Sequence, residues 1–91
     1  MQTTPENFQR FLTVLTQMAV LCCDEISSER LQAYWVLLKE DFTIEEWEGV
    51  GIALMREQDF RRVPMPQLFL ERLPTYQREN PVTMRRKVYL G

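Results

Sequence analysis

The chain has 91 residues, of which 45 % are hydrophobic and only three are glycine, a composition that suits one modest core and argues against an all-β or a disordered chain. The net charge of −2 is unevenly distributed, because residues 1–55 carry nine acidic and three basic side chains whereas residues 56–91 carry eight basic and four acidic ones. This polarity indicates either an oriented partner surface or attraction between helices within the fold.

The first predicted helix begins with Thr4, which can cap it, and Pro5, which suits the first helical position. Apolar residues then recur at helical spacing on a broad face: Phe8, Phe11, Leu12, Val14, Leu15, Met18, Ala19, Leu21 and Cys22. We expect this helix to end near Asp24 and to be buried on more than one side. That burial fits a monomer core and a homodimer seam equally well.

The second predicted helix follows Ser27 as its N-cap, and Ile26 and Leu31 occupy the two positions of a hydrophobic staple. Its inner face comprises four residues at helical spacing: Leu31, Tyr34, Trp35 and Leu38. Ala33 and Leu37 flank that face, and we expect the helix to end around Glu40.

The third predicted helix has the clearest start in the chain. Thr43 and Glu46 form the pattern of a reciprocal capping box, and Phe42 and Trp47 stand at the staple positions. Such a cap contributes about 1 kcal/mol. The sequence therefore predicts a helix beginning directly after Thr43.

Two glycines interrupt the third helix, Gly49 and Gly51. Each weakens a helix by about 1 kcal/mol relative to alanine. We predict that they allow a neighbouring helix to approach closely, with a kink at Gly51 as the alternative. Trp35 and Trp47 are predicted to be core residues rather than partner contacts.

The stretch RRVPMPQLFLERLP, residues 61–74, places prolines around an apolar segment. Pro64 and Pro66 each force the preceding residue out of helical geometry, which predicts a short extended connector with Pro66 opening a fourth helix. We expect Pro74 to end or kink that helix. The predicted fold is all-α: a compact bundle of three main helices with a short fourth, forming one domain over 1–74, followed by a partly ordered basic tail over 75–91.

The two cysteines and the lengths of the apolar segments indicate the cellular compartment of the protein. Cys22 and Cys23 are adjacent, and neighbouring cysteines rarely pair because the ring strains the peptide between them, so we predict reduced, half-buried thiols. The longest apolar run, MAVLCC, is too short to span a bilayer, and the opening MQTTPENFQR lacks the basic segment of a signal peptide. We therefore predict a cytoplasmic protein that has no membrane partner.

No catalytic constellation is visible. The chain has no histidine, no glycine-rich phosphate loop and no serine-containing elbow. Two cysteines without histidine cannot supply the four ligands of a zinc site. Carboxylate pairs such as Asp24/Glu25 and Glu45/Glu46 fall at predicted helix ends, where they cap the helix or are solvated. The sequence thus predicts a non-enzymatic protein with no cofactor and no metal.

Basic residues beside apolar ones mark the predicted partner-binding positions. These are Arg61, Arg62, Arg85, Arg86, Lys87, Val88, Tyr89 and Leu90. For the last six, the sequence is consistent with two interpretations, a docking segment or a solvated, fraying terminus. Arginine with aromatic neighbours also suits nucleic acid, although the acidic overall balance argues against strong non-specific DNA binding.

The order of motifs resembles small helical phage replication proteins. The segments FQRFLTVL, ISSERLQAYWVLLKEDFTIEEWEGVGIAL and FRRVPMPQLFLE are similar to the loader-and-inhibitor family of phage replicative helicases, over about residues 8–73. The matching positions are Ser27, Glu29, Leu31, Tyr34, Trp35, Leu38, Lys39, Phe60, Pro64 and Pro66. The resemblance implies a helical scaffold whose C-terminal tail contacts a replicative helicase, to load it or to hold it from the origin.

The favoured reading is therefore a phage-type interaction protein that binds a replicative helicase through its basic end. One alternative is a phage inhibitor of a host defence or transcription complex, acting through the carboxylates of residues 24–48. Another is a small DNA-binding module.

Overall fold

The computed structural model describes residues 1–57 and 61–80. Within these ranges the chain forms four helices and no strand: α1 Pro5–Cys22, α2 Ser28–Leu38, α3 Ile44–Glu57 and α4 Pro66–Glu79. The predicted all-α fold is confirmed. None of these four helices combines the length and the apolar character that crossing a membrane requires.

The helix starts are those that the local sequence specifies. Thr4 Oγ1 accepts a hydrogen bond from the backbone N–H of Asn7 at 3.1 Å, and Ser27 Oγ accepts one from the third residue after it at 3.1 Å. At α3 the capping box is complete: Glu46 N–H donates to Thr43 Oγ1 at 3.2 Å, and Thr43 N–H donates to Glu46 Oε1 at 2.9 Å. All three predicted caps are confirmed.

Helices α1 and α3 pack side by side in the same direction. Arg10 lies beside Glu48, and one helical turn later Val14 lies against Gly51. A Cβ atom added to Gly51 would stand 2.4 Å from Val14 Cγ1, so glycine is what permits this approach. The predicted role of Gly51 in close packing is confirmed.

Helix α4 runs antiparallel to α3. Arg72 forms an ion pair with Glu57, and the Tyr76 ring lies over Gly49, where an added Cβ would come within 2.3 Å of the ring. The second glycine therefore also serves a close approach, this time by an aromatic ring from α4.

Trp47 is at the centre of the core and is fully buried. It stacks on Phe11 with ring centroids 4.4 Å apart, lies 4.7 Å from Phe69, and meets Phe42 edge-on at 5.5 Å. Trp35 packs edge-on against Phe11 at 5.1 Å. Since these rings come from all four helices and the α2–α3 turn, one aromatic cluster joins the whole bundle, and both tryptophans are core residues as predicted.

Helix α1 is buried less broadly than its sequence suggested. The prediction that Leu21 belongs to the buried face is wrong, because 61 % of its surface is exposed. Leu21 falls in the last turn of α1, at the level of Met55, where α1 and α3 leave an open groove. The helix ends at Cys22, and Cys23 turns the chain with a left-handed backbone (φ 53°). Both thiols are unpaired, Cys22 half-buried and Cys23 exposed.

Helix α4 continues through Pro74 to Glu79 and is as long as α3, at 14 residues each. We expected a short helix and a tail beginning at residue 75. Residues 75–79, five positions that we assigned to the tail, are instead helical. A proline inside a helix removes one backbone hydrogen bond and costs about 3 kcal/mol. Contacts beyond the proline compensate: Tyr76 packs over Gly49, and Gln77 Nε2 donates to Glu46 Oε2 at 2.8 Å.

Candidate interaction surface

The connector between α3 and α4 is held in place by two hydrogen bonds, one with the α1–α2 turn and one with α2. Val63 N–H donates to Asp24 Oδ2 at 3.1 Å, and the buried Tyr34 hydroxyl donates to the Pro64 carbonyl at 2.7 Å. Val63 and Pro64 are themselves buried. The connector is thus a fixed part of the fold, anchored at the α1–α2 turn and on α2.

The prolines suit this path. Proline has no N–H group, so Pro64 and Pro66 leave no backbone donor unpaired where the chain crosses the bundle end. They also restrict Val63 and Met65 to extended geometry, and Met65 has φ −65° and ψ 155° immediately before α4. The N–H of the buried Val63, the residue before Pro64, donates to Asp24.

An open depression of about 790 Å³ lies over this connector. We call its lining residues the connector surface: Asp24, Arg30, Arg61, Arg62, Val63, Pro64 and Met65. Its lining includes three arginines and one aspartate. Arg61 and Arg62 are exposed, and neither forms an ion pair or side-chain hydrogen bond with any residue in 1–57 or 61–80. Two adjacent cations are therefore presented to solvent on an anchored backbone.

The negative charge in the connector surface is already engaged. The hydrogen bond from Val63 N–H, helped by the nearby Arg30 and Arg62, holds the pKa of the Asp24 carboxyl below its ordinary value. Arg30 Nη1 lies 3.7 Å from Asp24 Oδ2 and also donates to the Glu25 carbonyl at 3.1 Å. Asp24 therefore serves as the anchor of the connector, and Arg62 acts on it electrostatically without forming an ion pair with it.

This anchor has a testable pH dependence. Because the folded-state pKa of Asp24 is depressed, its contribution to stability is complete above the unfolded-state pKa of about 4 and is lost as the pH falls through the lower folded-state value. We expect Asp24→Ala to lower the urea midpoint at pH 7 and to lose less stability than the wild type between neutral and strongly acidic pH. Urea titrations across that range measure this effect.

The matched control is Glu25→Ala, because Glu25 is an exposed neighbour whose side chain forms no hydrogen bond or ion pair with the described residues. The stability of the Glu25→Ala variant should change with pH in the same way as that of the wild type. Identical profiles for Asp24→Ala and Glu25→Ala would show that the carboxylate of Asp24 does not anchor the connector.

An apolar component accompanies these charges. Met65 is 69 % exposed at the edge of the depression, and the buried Val63 and Pro64 form part of its lining. A flexible methionine beside exposed arginines combines an adaptable apolar contact with directional hydrogen-bond donors. The surface can therefore bind a group that carries both negative charge and an apolar side chain.

Of the predicted partner-binding residues, the structure describes only Arg61 and Arg62, and it brings them together. The other six, Arg85, Arg86, Lys87, Val88, Tyr89 and Leu90, lie outside the described residues. The sequence analysis missed Asp24, Arg30 and Met65 as members of the same surface. Asp24 and Val63 are 39 positions apart, and no local pattern signals their hydrogen bond.

The acidic start of α3 is largely engaged within the molecule. Arg10 donates two hydrogen bonds to the Glu48 carboxylate, from Nε to Oε2 at 3.0 Å and from Nη2 to Oε1 at 2.6 Å. This hydrogen bonding raises the pKa of Arg10. Glu46 is buried and accepts hydrogen bonds from the Thr43 N–H and from Gln77. Of the three glutamates in the first turns of α3, Glu45, Glu46 and Glu48, only Glu45 is exposed.

No metal or thiol chemistry is indicated by the parts of the chain that the structure describes. Residues 1–57 and 61–80 contain no group of three or more cysteine, aspartate or glutamate side chains arranged to hold a metal ion. Burial raises the pKa of the Cys22 thiol, which disfavours the reactive thiolate.

Comparison with known proteins gives no match to a family model, to a curated protein sequence or to a solved structure.

Proposed function

We propose that this chain is a non-enzymatic interaction module that binds a larger protein through its connector surface, without a cofactor and in the cytoplasm. The observation that carries the proposal is a pair of exposed arginines that have no side-chain partner among the described residues, on a connector anchored by Asp24 and Tyr34. Arginine is among the residues that contribute most to binding energy at protein interfaces. An anchored backbone also reduces the entropy lost on association.

The first partner to test is a replicative helicase. That choice rests on the resemblance of residues 8–73 to the phage helicase loader-and-inhibitor family. In this proposal the cluster from Arg85 to Leu90 is a second contact, and loading and inhibition are both consistent outcomes of binding.

Charge reversal at the connector should therefore abolish partner capture. The full-length tagged protein is incubated with lysate of its own host, and captured proteins are identified by mass spectrometry. We expect a replicative helicase with the wild type and its loss with Arg61→Glu/Arg62→Glu. Arg85→Glu/Arg86→Glu tests the C-terminal cluster with the same change in charge. Helicity and melting temperature of every variant are measured in parallel.

The matched control is Arg56→Glu/Arg78→Glu, which changes the net charge equally at two exposed arginines outside the connector surface. It should retain the partner. Equal loss with this control would reduce the effect to overall charge. A defence or transcription complex that Arg61→Glu/Arg62→Glu retains would overturn the proposal in favour of an inhibitor acting through acidic helices.

A further inference from the structure

We propose that the connector surface binds an acidic peptide segment in which carboxylates are close to an apolar side chain. This inference deepens the proposed function and rests on it, because it names the chemistry of the partner at that site. Three properties of the surface support it: exposed arginines, limited positive charge and an apolar edge.

The guanidinium groups favour carboxylates. Arg61 and Arg62 are consecutive, exposed and unpaired among the described residues, and Arg30 lines the same depression. A guanidinium is a planar fork that matches the two oxygens of a carboxylate. Asp24 is held by the Val63 N–H and by Arg30, and neither Arg61 nor Arg62 forms an ion pair with it.

The extent of the positive charge favours a peptide over nucleic acid. The depression contains three arginines together with Asp24, and the exposed Glu25 follows directly in the chain. The molecule as a whole carries a net charge of −2. Affinity for a nucleic acid backbone requires many neutralised phosphates along the strand, and a small basic site on an acidic molecule provides few. One or two carboxylates are a better match to this site.

The apolar edge specifies the rest of the ligand. Met65 exposes 69 % of its surface next to the arginines, and Val63 and Pro64 continue the apolar lining into the fold. An apolar side chain of the ligand can cover Met65 while its carboxylates face Arg61 and Arg62. Purely anionic ligands leave this contact unused.

Selection from a displayed library of short random peptides, with the full chain as bait, tests the inference. The expected result is enrichment of peptides that carry two or more Asp or Glu residues within one or two positions of Leu, Ile, Met or Phe. The same peptides with Asn and Gln in place of the acids should lose binding. Failure to enrich peptides, or enrichment without acidic residues, would overturn the inference.

Variants locate the binding and separate charge from geometry. We expect Arg61→Glu/Arg62→Glu to weaken binding of the selected peptides by about tenfold or more, because losing one charge-assisted hydrogen bond already lowers affinity by about that factor. Arg61→Lys/Arg62→Lys should also weaken them, since lysine keeps the charge and loses the fork. Met65→Ser should weaken peptides that contain an apolar residue and leave their apolar-to-Ser versions unchanged. Arg56→Glu/Arg78→Glu should bind as the wild type does.

A short thymidine oligonucleotide is the competing polyanion. Tighter binding of this oligonucleotide than of any selected peptide, lost in Arg61→Glu/Arg62→Glu, would assign the surface to nucleic acid and overturn the inference.

The outcomes also distinguish failure of the inference from failure of the proposed function. A host protein that depends on Arg61 and Arg62 but shares no acidic, apolar segment with the selected peptides would refute only the inference, whereas unchanged capture by the charge-reversed variant would refute the proposed function.

Discussion

Replacing Trp47 with alanine should remove a large share of the stability of this protein. The side chain is fully buried and contacts three other core rings, those of Phe11, Phe42 and Phe69. Truncation of a buried tryptophan to alanine costs about 3–5 kcal/mol, and small domains have only about 5–15 kcal/mol in total. We therefore expect a large fall in the urea midpoint, or an unfolded protein, measured by circular dichroism.

A second substitution keeps the prediction testable if the first variant does not fold. Trp47→Phe retains an aromatic ring against Phe11 and loses the indole N–H that donates to the Phe11 carbonyl at 3.2 Å. It should be clearly less destabilising than Trp47→Ala. Val36→Ala is the control, because Val36 is 63 % exposed on α2 and its truncation should change stability by less than about 0.5 kcal/mol. A Trp47→Ala variant as stable as this control would contradict the assignment of Trp47 to the core.

The parts of the fold that could be read from the sequence are those determined by neighbouring residues. The capping box of Thr43 and Glu46 spans four positions, and the Ser27 cap spans a similar distance, so each pattern contains all of its own partners. The same holds for Pro66 at the start of α4. These predictions were confirmed because nothing distant competes with them.

The errors arose where distant contacts outweigh local preference. Pro74 disfavours a continuous helix locally, yet α4 passes through it because Tyr76 and Gln77 have partners on α3. Leu21 has the spacing of a buried residue, and it is exposed because neighbouring helices leave the last turn of α1 open. Helical periodicity identifies a face, and the length over which that face is covered depends on where other helices end.

The candidate surface shows the same division. Arg61 and Arg62 were identified from the sequence because adjacent basic residues beside apolar ones form a local pattern. The anchoring of their backbone depends on Asp24 and Tyr34, which are distant in sequence from the connector. An acidic residue at a helix end is usually a cap or is solvated, so nothing in the sequence distinguished Asp24 from its neighbour Glu25.

The close approach of α1 to α3 leads to a prediction in which one substitution changes sign with its background. An alanine at Gly51 would place its Cβ 2.4 Å from Val14 Cγ1, and valine is stiff on a helix, so overpacking should cost about 1–3 kcal/mol. Against this, alanine improves the helix by about 1 kcal/mol. We expect Gly51→Ala to destabilise the wild type on balance, measured from urea midpoints.

In a Val14→Ala background the obstructing methyl group is gone. There Gly51→Ala should stabilise the protein, because the helix-propensity gain of about 1 kcal/mol remains and the new methyl group partly fills the cavity that Val14→Ala leaves. The difference between the two backgrounds is the coupling energy of the α1–α3 contact. The same effect of Gly51→Ala in both backgrounds would show that residues 14 and 51 are not in contact. It would contradict the close packing of α1 on α3 at this position.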